Sequence, residues 1–93
     1  MSLTFEWDQE KASENVRKHD VEFAEAETVF GDVSSRTIYD PDHSEDEDRF
    51  ITIGMSARLR FLVVVHSERG DNIRIISARK ATRRERESYE KGG

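Results

Sequence analysis

The sequence has no cysteine, one proline and one tryptophan. Without thiols it can build neither a disulfide framework nor a thiolate metal site. Long apolar runs are missing as well. The longest, Phe61-Leu62-Val63-Val64-Val65, falls far short of the ~20 residues a membrane helix needs. Near the start, Glu6 and Asp8 precede any apolar stretch, which does not suit a secretory signal. A cytoplasmic protein with no membrane role is therefore expected.

Charged residues make up 38% of the 93 residues and hydrophobic ones 34%. A composition this polar borders on disorder. The apolar residues, however, concentrate between Phe50 and Ile76, which implies one folded domain over residues 1–93 with a small core. The net charge of −5 is unevenly spread: residues 1–50 hold 15 acids and 5 bases, residues 51–93 hold 5 acids and 10 bases. An acidic total argues against general adhesion to nucleic acid, while a basic second half still permits a local phosphate-binding surface.

Local signals divide the chain into elements. Thr4-Phe5-Glu6-Trp7 suits a short strand. Asp8 is a good N-cap for a helix over residues 9–18, with Ala12, Asn15 and Val16 inward and a stop near His19-Asp20. Phe23, Ala26, Val29 and Phe30 recur at helical spacing, and Gly31 follows as a C-terminal cap. The period then changes. Residues 35–39, 49–55, 60–68 and 72–79 read as strands, with an acidic loop at 40–48. Arg69-Gly70-Asp71 predicts a tight antiparallel hairpin between the last two. Thr82-Arg83-Arg84-Glu85 forms a capping box, opening a helix whose only large apolar residue is Tyr89. The order implies an α+β fold: a small antiparallel sheet, two N-terminal helices, one C-terminal helix, and helices on one sheet face.

These residues resemble a known family. Phe5-Glu6-Trp7-Asp8, Lys11, Asn15 and Arg17-Lys18-His19 look like the opening of the BrnT toxins. Phe23-Ala24-Glu25-Ala26, Val29-Phe30, Asp48-Arg49-Phe50 and Ile53-Gly54 continue the likeness. Residues 74–82, then Arg84-Glu85 and Tyr89, complete it. One departure is Asp20, where the family often has glycine. The resemblance implies a RelE-like fold in a bacterial type II toxin–antitoxin pair. It implies a metal-independent endoribonuclease without cofactor that arrests translation. It also implies a BrnA-like ribbon-helix-helix antitoxin, with DNA reached only through that partner. A homodimer and a toxin–antitoxin heterotetramer both remain open.

Cleaving RNA without a metal requires a base, an acid and cations around the phosphate. His66 and Glu68 are two apart on a strand and share a face, which suits a base and its orienter. A hydrogen-bonded histidine beside a solvated glutamate is the plainer alternative. Arg79 and Lys80 end the last strand just before a capped helix, whose free N–H groups attract anions. With Arg83 they suggest a phosphate cradle, and Arg79 is expected to be the most sensitive base. Arg49, Lys18 and His19 are candidate RNA contacts, although cations at a helix end also suit the macrodipole, and Arg49 follows several acids with which it could pair, or it could anchor the sheet. Trp7 could stack a base but suits the core better. The acidic loop with His43 lacks the turn glycine of a calcium loop, so no metal is expected. The competing function is a noncatalytic partner-binding or regulatory module of the same fold. A convergence of His66, Glu68, Arg79 and Lys80 on one open cleft would separate the two.

Overall fold

The structure, a computed structural model, describes residues 3–43 and 47–91. The acidic residues at 45 and 46 of the central loop lie outside the described residues.

Helix α1 (Gln9–His19) starts where Asp8 predicts. The Asp8 carboxylate accepts from the N–H groups of Glu10 at 2.8 Å and Lys11 at 3.3 Å. Arg17, Lys18 and His19 fill the last turn. Asp20 then adopts the left-handed conformation at φ 58°, the exit for which glycine is best suited. Val16 does not face inward as expected: it is 40% exposed. The inner stripe of α1 is narrow, and the buried Asn15 occupies it instead. Its amide donates to the carbonyls of Val21 and Ala78 and accepts from the Ala78 N–H, at 2.8 to 3.0 Å.

Helix α2 (Phe23–Thr28) is shorter than predicted because its end tightens into a 3₁₀ turn at Val29–Gly31. That turn lies directly on the sheet at Gly54. A Cβ there would stand 2.9 Å from Ser35 Cβ and 3.0 Å from Val29 Cγ1. Glu25 fixes the helix to the β-turn below. Its buried carboxylate takes hydrogen bonds from Ser56 Oγ at 2.6 Å and Arg60 Nε at 2.9 Å.

Strands β1 (Thr4–Glu6), β2 (Arg36–Tyr39), β3 (Arg49–Met55), β4 (Phe61–Arg69) and β5 (Asn72–Lys80) form one sheet in the order β1-β5-β4-β3-β2. The predicted hairpin joins β4 and β5 through Gly70 at φ 61°. All pairings are antiparallel except β1 with β5, which is parallel, so the sheet is mostly antiparallel rather than purely so. Between Val65 and His66 the β4–β5 register shifts: Ile76 is an extra residue without a cross-strand partner, a β-bulge.

One face buries Leu62, Val64, Ile73, Ile75 and Ala78 under Val21, Phe23, Ala26 and Val29, with Trp7 packed against this core. The expectation that all helices cover this face does not hold. Helix α3 (Arg83–Glu90) lies on the opposite face. Tyr89, its one large apolar residue, packs against Phe61 with centroids 5.2 Å apart and donates to Asp32 at 2.5 Å. Phe61 alternates with the core-facing Leu62, so it draws α3 to the other side of the sheet. What remains of that side is open.

Candidate functional site

The structure does not bring His66, Glu68, Arg79 and Lys80 together. His66 pairs with Ile75 and lies on the helix-covered face, fully buried. Phe30 meets the imidazole edge-on at 4.9 Å and Phe50 stacks at 6.0 Å. Nε2 shares a 2.7 Å hydrogen bond with Thr52, which is itself bonded to Thr37. Nδ1 stands 3.5 Å from a Glu68 carboxylate oxygen and makes no hydrogen bond. Burial pushes the His66 pKa down to about 4, so the ring is neutral near pH 7. Glu68 shares its face, as alternation predicts, with its side chain 37% exposed. The pair is therefore adjacent, but its histidine is closed off from any substrate in this conformation.

Arg79 pairs with Val63 and points to the opposite face. The anion at the start of α3 turns out to be the chain's own Glu85. Both Glu85 oxygens accept from the Arg79 guanidinium at 2.8 Å. One of them also accepts from the Thr82 N–H, while Thr82 Oγ1 accepts from the Glu85 N–H. The capping box exists, and it fills the cradle that was expected to hold phosphate. Arg79 lowers the Glu85 pKa to about 2 despite desolvation. Lys80 pairs with Leu62 and is exposed, and Arg83 is exposed on α3.

The bulge decides what the open face carries. Arg74 and Arg79 are five residues apart and would point oppositely on a regular strand. The extra Ile76 restores them to one side: Arg74 pairs with Ser67 and Arg79 with Val63, both on the face opposite the core. Arg49 also pairs with Ser67, and Glu6 with Arg74. A row Glu6–Arg74–Ser67–Arg49 therefore crosses four strands at one end of this face. At the other end Ile38, Ile51, Ile53 and Val63 line a groove of ≈ 230 Å³, flanked by Arg36, Ser88 and Tyr89. Strand patterning singled out Arg49 and Arg79. It missed Arg74, Ser67, Glu6 and Arg36, because their shared side depends on strand order and on the bulge.

Lys18 and His19 are elsewhere, in a shallow hollow with Lys11, Ile76 and Ser77 on the outer edge of β5. Lys18 is 3.8 Å from Glu14, which fits its helix-end role. Among the described residues no three acidic or histidine side chains form a cluster able to hold a metal, and no helix is long and apolar enough to cross a membrane.

The family profile described as "Ribonuclease toxin, BrnT, of type II toxin-antitoxin system" matches residues 7–85. The chain belongs to the BrnT family. BrnT proteins are the ribonuclease toxins of type II toxin–antitoxin pairs, so this chain is such a toxin and has an antitoxin partner. The crystal structure of the Brucella abortus ribonuclease toxin BrnT superimposes with a TM-score of 0.67 at 24% identity. The match covers 88% of this chain and 100% of that one, which shows a shared fold. The chain has no significant match among curated proteins. The BrnT match spans every element from α1 to the start of α3, the open-face arginines included.

Proposed function

We propose that this BrnT toxin cleaves RNA on the open face of its sheet and needs no divalent metal. The carrying observation is that the bulge places Arg74 and Arg79 on one face with Arg49, beside an apolar groove. In the cleavage step the ribose 2′-hydroxyl loses its proton to water as its oxygen bonds to the adjacent phosphorus, and the bond to the 5′-oxygen breaks as that oxygen takes a proton from water. Charge gathers on the non-bridging oxygens between these events. Guanidiniums supply fixed, planar donors for that charge, the service a metal would otherwise give. Arg49 is the principal candidate for that charge. Arg74 lies further along the same row, towards the β4–β5 hairpin, and Arg79 is held to Glu85 by two hydrogen bonds. His66 and Glu68, on the far side, support the sheet beneath this face.

The purified protein should degrade RNA in excess chelator. Activity that disappears with chelator and returns with magnesium would overturn the metal-free reading. Arg49→Gln should slow cleavage by about 10²–10³, the usual effect of losing one donor to transition-state charge. Arg17→Gln, on the exposed face of α1, should not. The antitoxin is proposed to be a BrnA-like ribbon-helix-helix protein, through which alone the toxin reaches DNA. Because such proteins are paired, the complex is proposed to be a heterotetramer within the cytoplasm. Copurification and light scattering test it: a toxin that elutes alone beside its coexpressed partner rejects the assignment.

A further inference from the structure

The row of polar residues on the open face contains a buried hydroxyl. Ser67 is 2% exposed and its Oγ has no hydrogen-bond partner. The other buried hydroxyls and the buried amide are satisfied, Thr52 by His66 and Thr37, Ser56 by Glu25, Asn15 by Val21 and Ala78, while His66 Nδ1 has a Glu68 oxygen 3.5 Å away. Buried hydroxyls are nearly always paired, and an exception calls for a cause. The Ser67 side chain opens into a hollow of ≈ 20 Å³ lined by Glu6, Arg69, Asn72 and Arg74, room for about one oxygen atom. The cations around it are loosely committed. Arg74 lies 3.7 Å from Glu6, both about half exposed, and Arg69 lies 3.5 Å from Glu47 with its side chain 80% exposed. Each guanidinium therefore retains donors for another acceptor.

We propose that this hollow is a subsite for an RNA backbone phosphate next to the one being cleaved. One non-bridging oxygen enters and accepts from Ser67 Oγ, and Arg74 and Arg69 hold the others. The proposal rests on the reading of the open face as the RNA surface and adds its register: the strand runs from the apolar groove across β4 to the β4–β5 hairpin. Water alone would satisfy the hydroxyl. It would not account for two arginines converging on a one-oxygen hollow beside it. Glu6 opposes an anion at this place, and its bond to Arg74 is what a phosphate would displace. Removing that carboxylate should therefore tighten binding, whereas a purely structural ion pair would show only lost stability.

A 2′-O-methyl RNA tetranucleotide is the probe, since it binds without being cleaved. Titrated into the folded toxin, it should shift the amide resonances of Ser67, Glu68 and Arg74. Inorganic phosphate should shift the same amides more weakly. Arg74→Gln should weaken tetranucleotide affinity about tenfold and Ser67→Ala about threefold, and Arg74→Gln should lower the salt slope by about 0.7. Glu6→Gln should tighten binding. With cleavable RNA the first two should raise KM and leave kcat in place. Thermal melts confirm folding, and Arg17→Gln is the control. Unchanged affinity in Ser67→Ala and Arg74→Gln overturns the subsite and leaves a hollow for water. Wild-type toxin that binds the probe here yet cleaves no RNA overturns the activity reading but upholds the subsite.

Discussion

His66 shows why residue spacing alone misjudges a side chain. Two positions on a strand place it beside Glu68, as the sequence implies, and the structure agrees to 3.5 Å. What spacing omits is the layer above. Phe30 comes from the 3₁₀ turn and Phe50 from β3, and both close over the ring. Burial then lowers its pKa from 6.5 to about 4. The unfolded chain binds this proton more tightly than the fold does. Stability is thus complete above pH 6.5 and falls as pH drops from 6.5 towards 4. Below that both states are protonated and the loss stays constant. The shift corresponds to roughly 3 kcal/mol. A histidine NMR titration should find His66 with a pKa near 4. The melting temperature should decline through the same window, and His66→Gln should flatten that part of the curve. An apparent pKa at or above 6.5 would mean that the ring is open to water. Glu25 offers a second test at this scale. Glu25→Ala strands Arg60 in a partly buried site and should destabilise the fold by about 3 kcal/mol in denaturant unfolding.

Among the elements, caps and turns were legible and faces were not. Asp8, Asp20, Gly70 and the Thr82–Glu85 box all do what their chemistry predicts, because each acts within a few residues. The side on which α3 settles depends on Phe61 and Asp32, which are distant in sequence. The second use of Glu85 was hidden for a different reason, since its partner Arg79 is six residues away but on another element. It caps its helix and also clamps Arg79, tying the helix to β5. Arg79 was expected to be the most sensitive base through phosphate binding. The geometry gives it a different part. Arg79→Ala should free α3 and lower stability by about 1–3 kcal/mol, with Glu85→Gln producing a smaller version of the same loss. Hydrogen exchange checks this: the α3 amides should exchange faster in both variants while those of β4 stay protected. The Glu85 carboxylate is held below its usual range. Its contribution is present above pH 4.5 and disappears as pH falls towards 2, so acid should release α3 in the wild type also. Protection of α3 unchanged in Arg79→Ala would show that Tyr89 alone holds the helix.

On the scale of the whole molecule, the sheet brings together residues that the two sequence halves keep apart. Arg49 belongs to the acidic half, yet it joins Arg74 and Arg79 on the open face. The fold class could be argued from periods and caps. The candidate site could not, since one unpaired residue, Ile76, reverses the parity of β5 and decides which arginines are neighbours. A residue-by-residue pattern has no means of detecting a bulge whose cause is the pairing with β4. The toxin's core is correspondingly small: eleven buried hydrophobic residues among the described residues support a chain in which 38% of residues are charged. A protein with so little buried apolar surface has modest stability of its own. Anything that binds only the folded form then shifts its melting strongly by mass action. The antitoxin is such a ligand. At a free concentration one hundred times Kd it should add about 2.7 kcal/mol, or roughly 10–20 °C for a domain of this length. The melting temperature should keep rising with each further increase in antitoxin, as linkage requires, and fall back on dilution. Thermal scans of the purified pair across a concentration series measure this directly. A melting temperature independent of antitoxin concentration would mean that the partner does not bind the folded toxin, and neutralisation would then have to act elsewhere.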